Sequence, residues 1–218
     1  MHRVLVFACL ASAALHAADR QILAIADLPG VSEWKDTPAS SKMEDGRLTI
    51  AAGGSTDWFI SPLNGESHTN APLLLFEPAE DFVLTAKLDV EFGTPWDAGL
   101  LMVYADDTHW AKLALEMSVY GEPTIVTVVT RGVSDDCNSA PVRGGSIWYR
   151  IAKTGPAIAF YASPDGRSWK MVRAFSLGAS PGLRVGFGAQ SPAGNKGSAT
   201  FSEIRYGARK IRDIFKGE

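Results

Sequence analysis

The side chains best suited to ligand chemistry alternate within the segment W-A-K-L-A-L-E, which runs from Trp110 to Glu116. In an extended strand this spacing places Trp110, Lys112 and Glu116 on one face, because successive side chains point to opposite sides. An indole stacks on the CH groups of a sugar ring, while a lysine and a carboxylate hydrogen-bond to its hydroxyls. The spacing therefore predicts a carbohydrate-binding face. The alternative is structural: Trp110 packs on a neighbouring strand, and Lys112 and Glu116 form a surface ion pair worth under about 1 kcal/mol.

These residues belong to a predicted β-hairpin at residues 96–117, with its turn at residues 105–108. Antiparallel pairing then puts Asp97 opposite Glu116 and Gly99 opposite Ala114, which leaves a shallow floor for a ligand. The other pairs on this face are Val103 with Trp110 and Leu101 with Lys112. The second face is almost wholly apolar and is predicted to meet the core; it carries Ala98, Leu100, Met102, Tyr104, His109, Ala111, Leu113 and Leu115. A slip of one residue would mix the two sets, so burial of one face is predicted to fix this register.

Three further side chains are candidates for the same surface. Asp57 and Trp58, in the segment D-W-F-I, and Arg131, at the end of a β-branched strand, are predicted to border the floor. A separate group of oxygen donors, Asp135, Asp136 and Asn138, has the chemistry that calcium selects in loops. Their spacing matches no calcium loop, so the sequence predicts no cofactor and no metal site, and it assigns no catalytic residue.

Alternation with a period of two indicates strands through most of the chain. The clearest case is F-V-L-T-A-K-L-D-V-E-F at residues 82–92. The β-branched run T-I-V-T-V-V-T at residues 124–130 favours a strand over a helix. The turn in S-P-D-G-R-S-W, at residues 163–169, predicts another hairpin. We expect about ten to thirteen short strands in an all-β sandwich.

Residues 1–17 are predicted to be a secretory signal peptide. His2 and Arg3 precede an apolar run, Val4 to Leu15, that is too short to cross a membrane. The alternative is a buried first strand. Residues 18–207 are predicted to form the sandwich, and residues 208–218 form a short tail whose apolar residues have helical spacing. The mature protein is therefore expected to be exported, to the periplasm or the extracellular space, without a membrane span.

Composition narrows the classes of partner. The formal net charge of -3 argues against a nucleic-acid partner, which would require a basic surface. Cys137 is the only cysteine outside the predicted signal peptide, so no intramolecular disulfide is expected. The sequence makes no prediction of the oligomeric state.

An ordered set of motifs resembles the concanavalin A-like family of unknown function that includes the yeast regulation-of-enolase protein. The motifs are T-D-W-F near Asp57, A-P-L-L-L at Ala71, D-A-G-L-L-M-V-Y-A-D at Asp97, W-A-K-L-A-L-E at Trp110, V-V-T-R-G at Val128 and S-P-D-G-R-S-W at Ser163. The resemblance covers roughly residues 34–206. It implies a jelly-roll sandwich of two curved antiparallel sheets, whose concave face is the usual ligand site. Related sandwiches occur as accessory domains of glycosidases.

Three functions are compatible with these observations. The first is a secreted, non-catalytic domain that binds a glycan on the concave face. The second is a structural or protein-interaction domain of the cell envelope. The third is a glycoside hydrolase or lyase that uses Asp97 and Glu116, since a retaining pair needs carboxyl groups about 5–5.5 Å apart. The clustered acids E-x-D-x-x-E of the glucanases with this fold are absent, so the sequence favours binding.

Overall fold

β-strands supply all the regular structure in the computed structural model, which describes residues 22–23, 25, 28–178 and 181–218. In chain order the strands are β1 (Ile22–Leu23), β2 (Ser32–Trp34), β3 (Ser40–Glu44), β4 (Arg47–Gly53), β5 (Trp58–Ile60), β6 (Ser67–Thr69), β7 (Leu73–Phe76), β8 (Phe82–Glu91), β9 (Ala98–Asp106), β10 (His109–Met117), β11 (Pro123–Arg131), β12 (Ser134–Pro141), β13 (Ser146–Thr154), β14 (Ala157–Ser163), β15 (Lys170–Phe175), β16 (Arg184–Gln190) and β17 (Lys196–Gly207). The predicted signal peptide lies outside the described residues. Within the described ranges no helix is long and apolar enough to span a membrane.

Two antiparallel sheets stack face to face. The first has eight strands in the order β1-β2-β7-β16-β9-β10-β11-β12, and the second has seven in the order β15-β14-β13-β8-β17-β4-β3. Strands distant in sequence are neighbours, as where β16 lies between β7 and β9, so the chain crosses repeatedly between the sheets. Strands β5 and β6 form a separate two-stranded sheet. The predicted fold class, an all-β concanavalin A-like jelly-roll sandwich, is confirmed.

The main core lies between the two large sheets. The apolar half of the alternation in β8, including Leu84 and Leu88, points into it. Gly99 of β9 also faces this interior, because a Cβ on it would lie 2.6 Å from the Cβ of Ala199 in the opposite sheet. The space between the sheets at this point therefore leaves no room for a side chain on residue 99. Gly99 is thus part of the core, and its predicted place on a ligand-binding floor is wrong.

The predicted register of the β9–β10 hairpin is wrong by one residue along β9. Trp110 pairs with Tyr104, Lys112 with Met102, and Glu116 with Ala98. The turn holds only residues 107 and 108, and a β-bulge between His109 and Trp110 then shifts the pairing. The strand β10 keeps its predicted faces, whereas the faces of β9 are exchanged: Leu101 and Val103 enter the core, and Ala98, Leu100, Met102 and Tyr104 lie on the outer face.

Two smaller apolar clusters cover the outer faces of the sandwich. Strand β5 packs Trp58 and Ile60 onto the outer face of β9, β10 and β11. On the other sheet the C-terminal tail packs Ile211 against Tyr161. The tail forms turns rather than the helix suggested by its spacing. Short strands such as β3, β6 and β12 were not predicted, and they raise the number in the described residues to seventeen.

Candidate functional site

A cleft of about 410 Å³ opens on the outer face of the eight-stranded sheet. Its floor is formed by β10, β11 and β12, and one wall is the hairpin of β5 and β6. We call it the polar cleft. Its lining includes six ionisable groups and two large aromatic side chains, namely Asp57, Glu66, His68, Lys112, Glu116, Asp136, Phe59 and Trp96. The β5–β6 hairpin is attached to the floor through Ser134, whose Oγ accepts a hydrogen bond of 2.9 Å from the Ile60 amide.

Lys112 is the central cation of the polar cleft, although its side chain is only 3% exposed. Its Nζ donates a hydrogen bond of 2.9 Å to Gln190 Oε1 and lies 3.3 Å from Asp57 Oδ1. Gln190 comes from the last residue of β16, and Asp57 directly precedes β5. Three parts of the chain thus meet at one ammonium group. This network differs from the surface ion pair between Lys112 and Glu116 that the structural alternative assumed.

Glu116 lies on the same strand face as Lys112 and is 8% exposed. Burial raises the pKa of its carboxyl group to about 8, against the opposing effect of Lys112 and with smaller contributions from Asp136 and Asp57. The Glu116 carboxyl accordingly retains its proton at neutral pH. Burial also raises the pKa of Asp136 on β12. The polar cleft therefore presents the protonated Glu116 carboxyl, which can donate a hydrogen bond, beside a buried ammonium group.

Trp96 is the exposed aromatic side chain of the polar cleft, with 46% of its surface accessible. Its backbone has φ +67°, which is rare for a large side chain. The Trp96 amide donates to the Met117 carbonyl over 2.7 Å, and the Trp96 carbonyl accepts from Gln190 Nε2 over 3.1 Å. Contacts on both sides therefore fix this strained position, as is common where a side chain is held for function.

The two tryptophans predicted to meet a ligand are buried instead. Trp110 and Trp58 are both 0% exposed, and their rings pack edge to face with centroids 5.5 Å apart. Trp58 also packs against Tyr104 and donates its Nε1 hydrogen to the Ala71 carbonyl over 2.8 Å. The indole of Trp110 is thus covered by β5, and the prediction that it stacks on a sugar is wrong.

Asp97 has a structural role beside the polar cleft and does not line it. It is fully buried, and its two carboxylate oxygens accept hydrogen bonds from the Gly93 amide, the Thr94 amide, the Thr94 hydroxyl and the Ser191 hydroxyl, at 2.7–3.0 Å. The predicted pairing of Asp97 with Glu116 is also wrong, since Glu116 pairs with Ala98 and the Asp97 carbonyl accepts a hydrogen bond of 3.0 Å from the Met117 amide. The carboxylate therefore holds the turn before β9 and is not a partner for Glu116.

Replacing Asp97 with asparagine is expected to lower the free energy of unfolding by about 1–3 kcal/mol, because one acceptor oxygen becomes an NH2 group among hydrogen-bond donors. Urea unfolding followed by circular dichroism measures this change. The matched control is Glu91→Gln, which makes the same chemical change at an exposed position on β8. Equal stabilities of the two variants would contradict the structural role of Asp97.

Arg131 and the predicted calcium donors lie outside the polar cleft, except for Asp136. The Arg131 guanidinium is exposed and donates to the Ser176 carbonyl over 2.6 Å. Asp135 pairs with Arg173 over 2.9 Å. Asp135, Asp136 and Asn138 belong to strand β12 rather than to a loop. In the described part of the chain no group of three or more His, Cys, Asp or Glu side chains is arranged to hold a metal ion.

Residues 34–209 match the family described as "Protein of unknown function (DUF1349)". The chain belongs to this family. The DUF1349 domain is 28% identical over 173 residues to Regulation of enolase protein 1 of Saccharomyces cerevisiae, covering 78% of this chain and 86% of that protein. The resemblance inferred from the ordered motifs is thereby confirmed.

Solved structures share the fold of this DUF1349 domain. A functionally unknown protein from Saccharomyces cerevisiae superposes with a TM-score of 0.77 at 25% identity, covering 83% of this chain and 97% of that one. The GH43 BlXynB protein from Bacillus licheniformis superposes with a TM-score of 0.64 at 18% identity, covering 85% of this chain but 38% of that one. The second match shows the fold alone, and it extends over a minor part of the larger protein.

The cleft residues of the DUF1349 domain that were not predicted as site residues include Trp96, Gln190 and Asp136. Trp96 carries a usable signal, because a tryptophan between Pro95 and Asp97 in a turn has few neighbours to bury it. Gln190 carries none, since its place depends on β16 pairing with β9. Asp136 was recognised only as an oxygen donor.

Proposed function

We propose that this protein is an exported, non-catalytic domain that binds a carbohydrate in the polar cleft. The observation that carries the proposal is the exposed indole of Trp96 above a floor of buried polar groups. Trp96 supplies a face for the CH groups of a sugar, while Lys112 and Gln190 supply donors and acceptors for hydroxyls. Because Lys112 and Glu116 are held by packing, the site is organised before a ligand enters.

The similarity to the GH43 protein supports this class of ligand. Several structural neighbours are GH43 proteins, one of which is described as a GH43 glycoside hydrolase. The similar region is 37–38% of such chains in these cases, so the shared sandwich accompanies other parts of each protein. We infer that the domain carries the sugar-binding role of an accessory module.

Binding is favoured over hydrolysis by the placement of the carboxyl groups. Hydrolysis requires an acid and an ionised nucleophile or base flanking the glycosidic bond. Asp97 does not reach the cleft, and Asp57 is engaged by the Lys112 ammonium. Glu116 is buried and its pKa is raised to about 8, while partial desolvation also raises the pKa of Asp136. The polar cleft thus lacks the pair of acids that the hydrolase hypothesis assigned to it.

Replacing Trp96 with alanine is expected to weaken glycan binding roughly tenfold, because the stacking surface for the sugar is removed. A glycan array with the protein lacking residues 1–17 identifies the ligand, and isothermal titration calorimetry measures the affinity. The matched control is Tyr120→Ala, which removes an aromatic side chain that is 85% exposed and does not line the cleft.

An unchanged affinity of the Trp96→Ala variant would exclude the polar cleft as the binding site. Cleavage of a polysaccharide that is lost in Glu116→Gln would instead identify a hydrolase or lyase. Export is tested separately by fractionation of cells that express the full chain, with the protein expected in the periplasm or the medium.

A further inference from the structure

A second cleft, of about 280 Å³, lies on the outer face of the seven-stranded sheet. Its floor is formed by β8, β13 and β17, on the side of the sandwich opposite the polar cleft. Three arginines and two tryptophans define it, and we call it the arginine cleft: Arg150, Arg205, Arg209, Trp148 and Trp169. The fold places these residues together although they come from distant parts of the chain.

The strand register places two of the arginines on either side of one threonine. Thr85 on the central strand β8 pairs with Arg150 on β13 and with Arg205 on β17. Arg150 Nε donates to Thr85 Oγ1 over 3.4 Å. The register of β17 shifts between Ser202 and Arg205, and such bulges redirect the side chains that follow. Both long side chains can therefore meet a single group bound above Thr85.

The positive charge of the arginine cleft is not balanced by its own lining. Among the described residues no carboxylate lines this cleft. Arg150 is partly buried and donates to the Gly217 carbonyl over 2.9 Å, and its pKa is lowered by burial and by the nearby Arg209. The only ion pair of Arg205 in the described residues is with exposed Glu203 at 3.4 Å, and such pairs contribute little. Asp213 and Glu218 line a neighbouring cleft together with Arg150 and Arg209, so the cations lack counter-charges only within the arginine cleft itself, where they favour a bound anion.

Two tryptophans give the arginine cleft aromatic surface in addition to its positive charge. The Arg150 guanidinium lies 3.9 Å from the centroid of the Trp169 ring, which orients its donors. The turn at residues 163–169 holds Trp169, because Asp165 accepts hydrogen bonds from the amides of Arg167 and Ser168. A Cβ on Gly166 of this turn would lie 2.9 Å from the indole of Trp148, so only glycine allows the two to pack.

We propose that the arginine cleft binds an acidic saccharide, with its carboxylate or sulfate on the arginines and its sugar ring against Trp148. Guanidinium groups match the oxygens of these anions in pairs. A cleft below the range of about 300–1,000 Å³ typical of drug-sized ligands suits a single sugar unit better than a larger headgroup. The net charge of the protein, -3, disfavours a polyphosphate such as nucleic acid as the ligand. The positive charge of the arginine cleft therefore suits a small anion that binds only at this place.

The test measures the affinity for trigalacturonate and a heparin tetrasaccharide by calorimetry at low salt. We expect the double variant R205Q and R209Q to bind the acidic sugar at least tenfold more weakly. Both side chains are exposed, so their replacement leaves the fold intact. The matched control, Arg143→Gln, removes an exposed arginine outside the cleft and is expected to bind as the unaltered protein does.

Three outcomes would overturn the proposal: no binding of either acidic sugar, equal affinity of the double variant, or free sulfate binding as tightly as the oligosaccharides. The Trp96→Ala variant is expected to bind trigalacturonate with unchanged affinity, because Trp96 lies in the polar cleft. This result separates the second site from the proposed function of the first.

Discussion

Replacing Trp58 with alanine is expected to lower the free energy of unfolding by about 3–5 kcal/mol, the range found for buried tryptophans. Trp58 is fully buried and joins β5 to the outer face of β9 and β10 through its contacts with Tyr104 and Trp110. The substitution leaves a cavity, and it removes the hydrogen bond to the Ala71 carbonyl. Urea unfolding followed by circular dichroism measures the loss.

The matched control is Trp96→Ala, which removes the same indole from a position that is 46% exposed, and which is expected to cost under about 1 kcal/mol. Acrylamide quenching of fluorescence gives a second readout. It is expected to rise in Trp58→Ala beyond the control, because Trp110 loses its cover. A stability loss no larger than that of the control would show that β5 does not seal this face.

The contrast between Trp58 and Trp96 shows where sequence reasoning about the site stopped. Alternation along β10 correctly placed Trp110, Lys112 and Glu116 on one face, because that property depends only on the local period. Whether the face meets solvent depends on β5, which lies about fifty residues earlier in the chain. The sequence therefore predicted correctly which residues share a face of β10, but it predicted incorrectly that Trp110 is exposed there. The exposed aromatic side chain of the cleft is Trp96.

The fold class was predictable for a related reason. Strands with strict alternation, such as β8, and β-branched strands, such as β11, can be predicted from their local sequence alone. The register of β9 against β10 could not be predicted in this way, because a two-residue turn followed by a bulge exchanges the faces of β9 while leaving β10 unchanged. Both faces of β9 are apolar, so its composition does not distinguish the two registers.

In the unaltered protein, the free energy of unfolding is expected to fall as the pH rises, because of Glu116. Replacing Glu116 with glutamine is expected to abolish this part of the decrease. The folded-state pKa of Glu116 is about 8, whereas its ordinary value is 4.5. Between these two values the unfolded chain releases the proton that the folded protein retains. The free energy of unfolding therefore falls with rising pH, by about 1.4 kcal/mol per pH unit for this group. Its contribution is fully present below pH 4.5 and is lost as the pH passes 8.

The measurement is the unfolding free energy of Glu116→Gln minus that of the unaltered protein, at steps from pH 5 to pH 9. We expect this difference to rise by a few kcal/mol, since glutamine does not titrate and its amide oxygen can still accept from Gln190. Subtraction cancels the contributions of shared groups that do not interact with Glu116. The control is Glu66→Gln, which makes the same substitution at a cleft carboxylate that is 62% exposed. A constant difference for Glu116→Gln would mean that the carboxyl group of Glu116 is hydrated and ionised, and that the floor of the polar cleft is open to water.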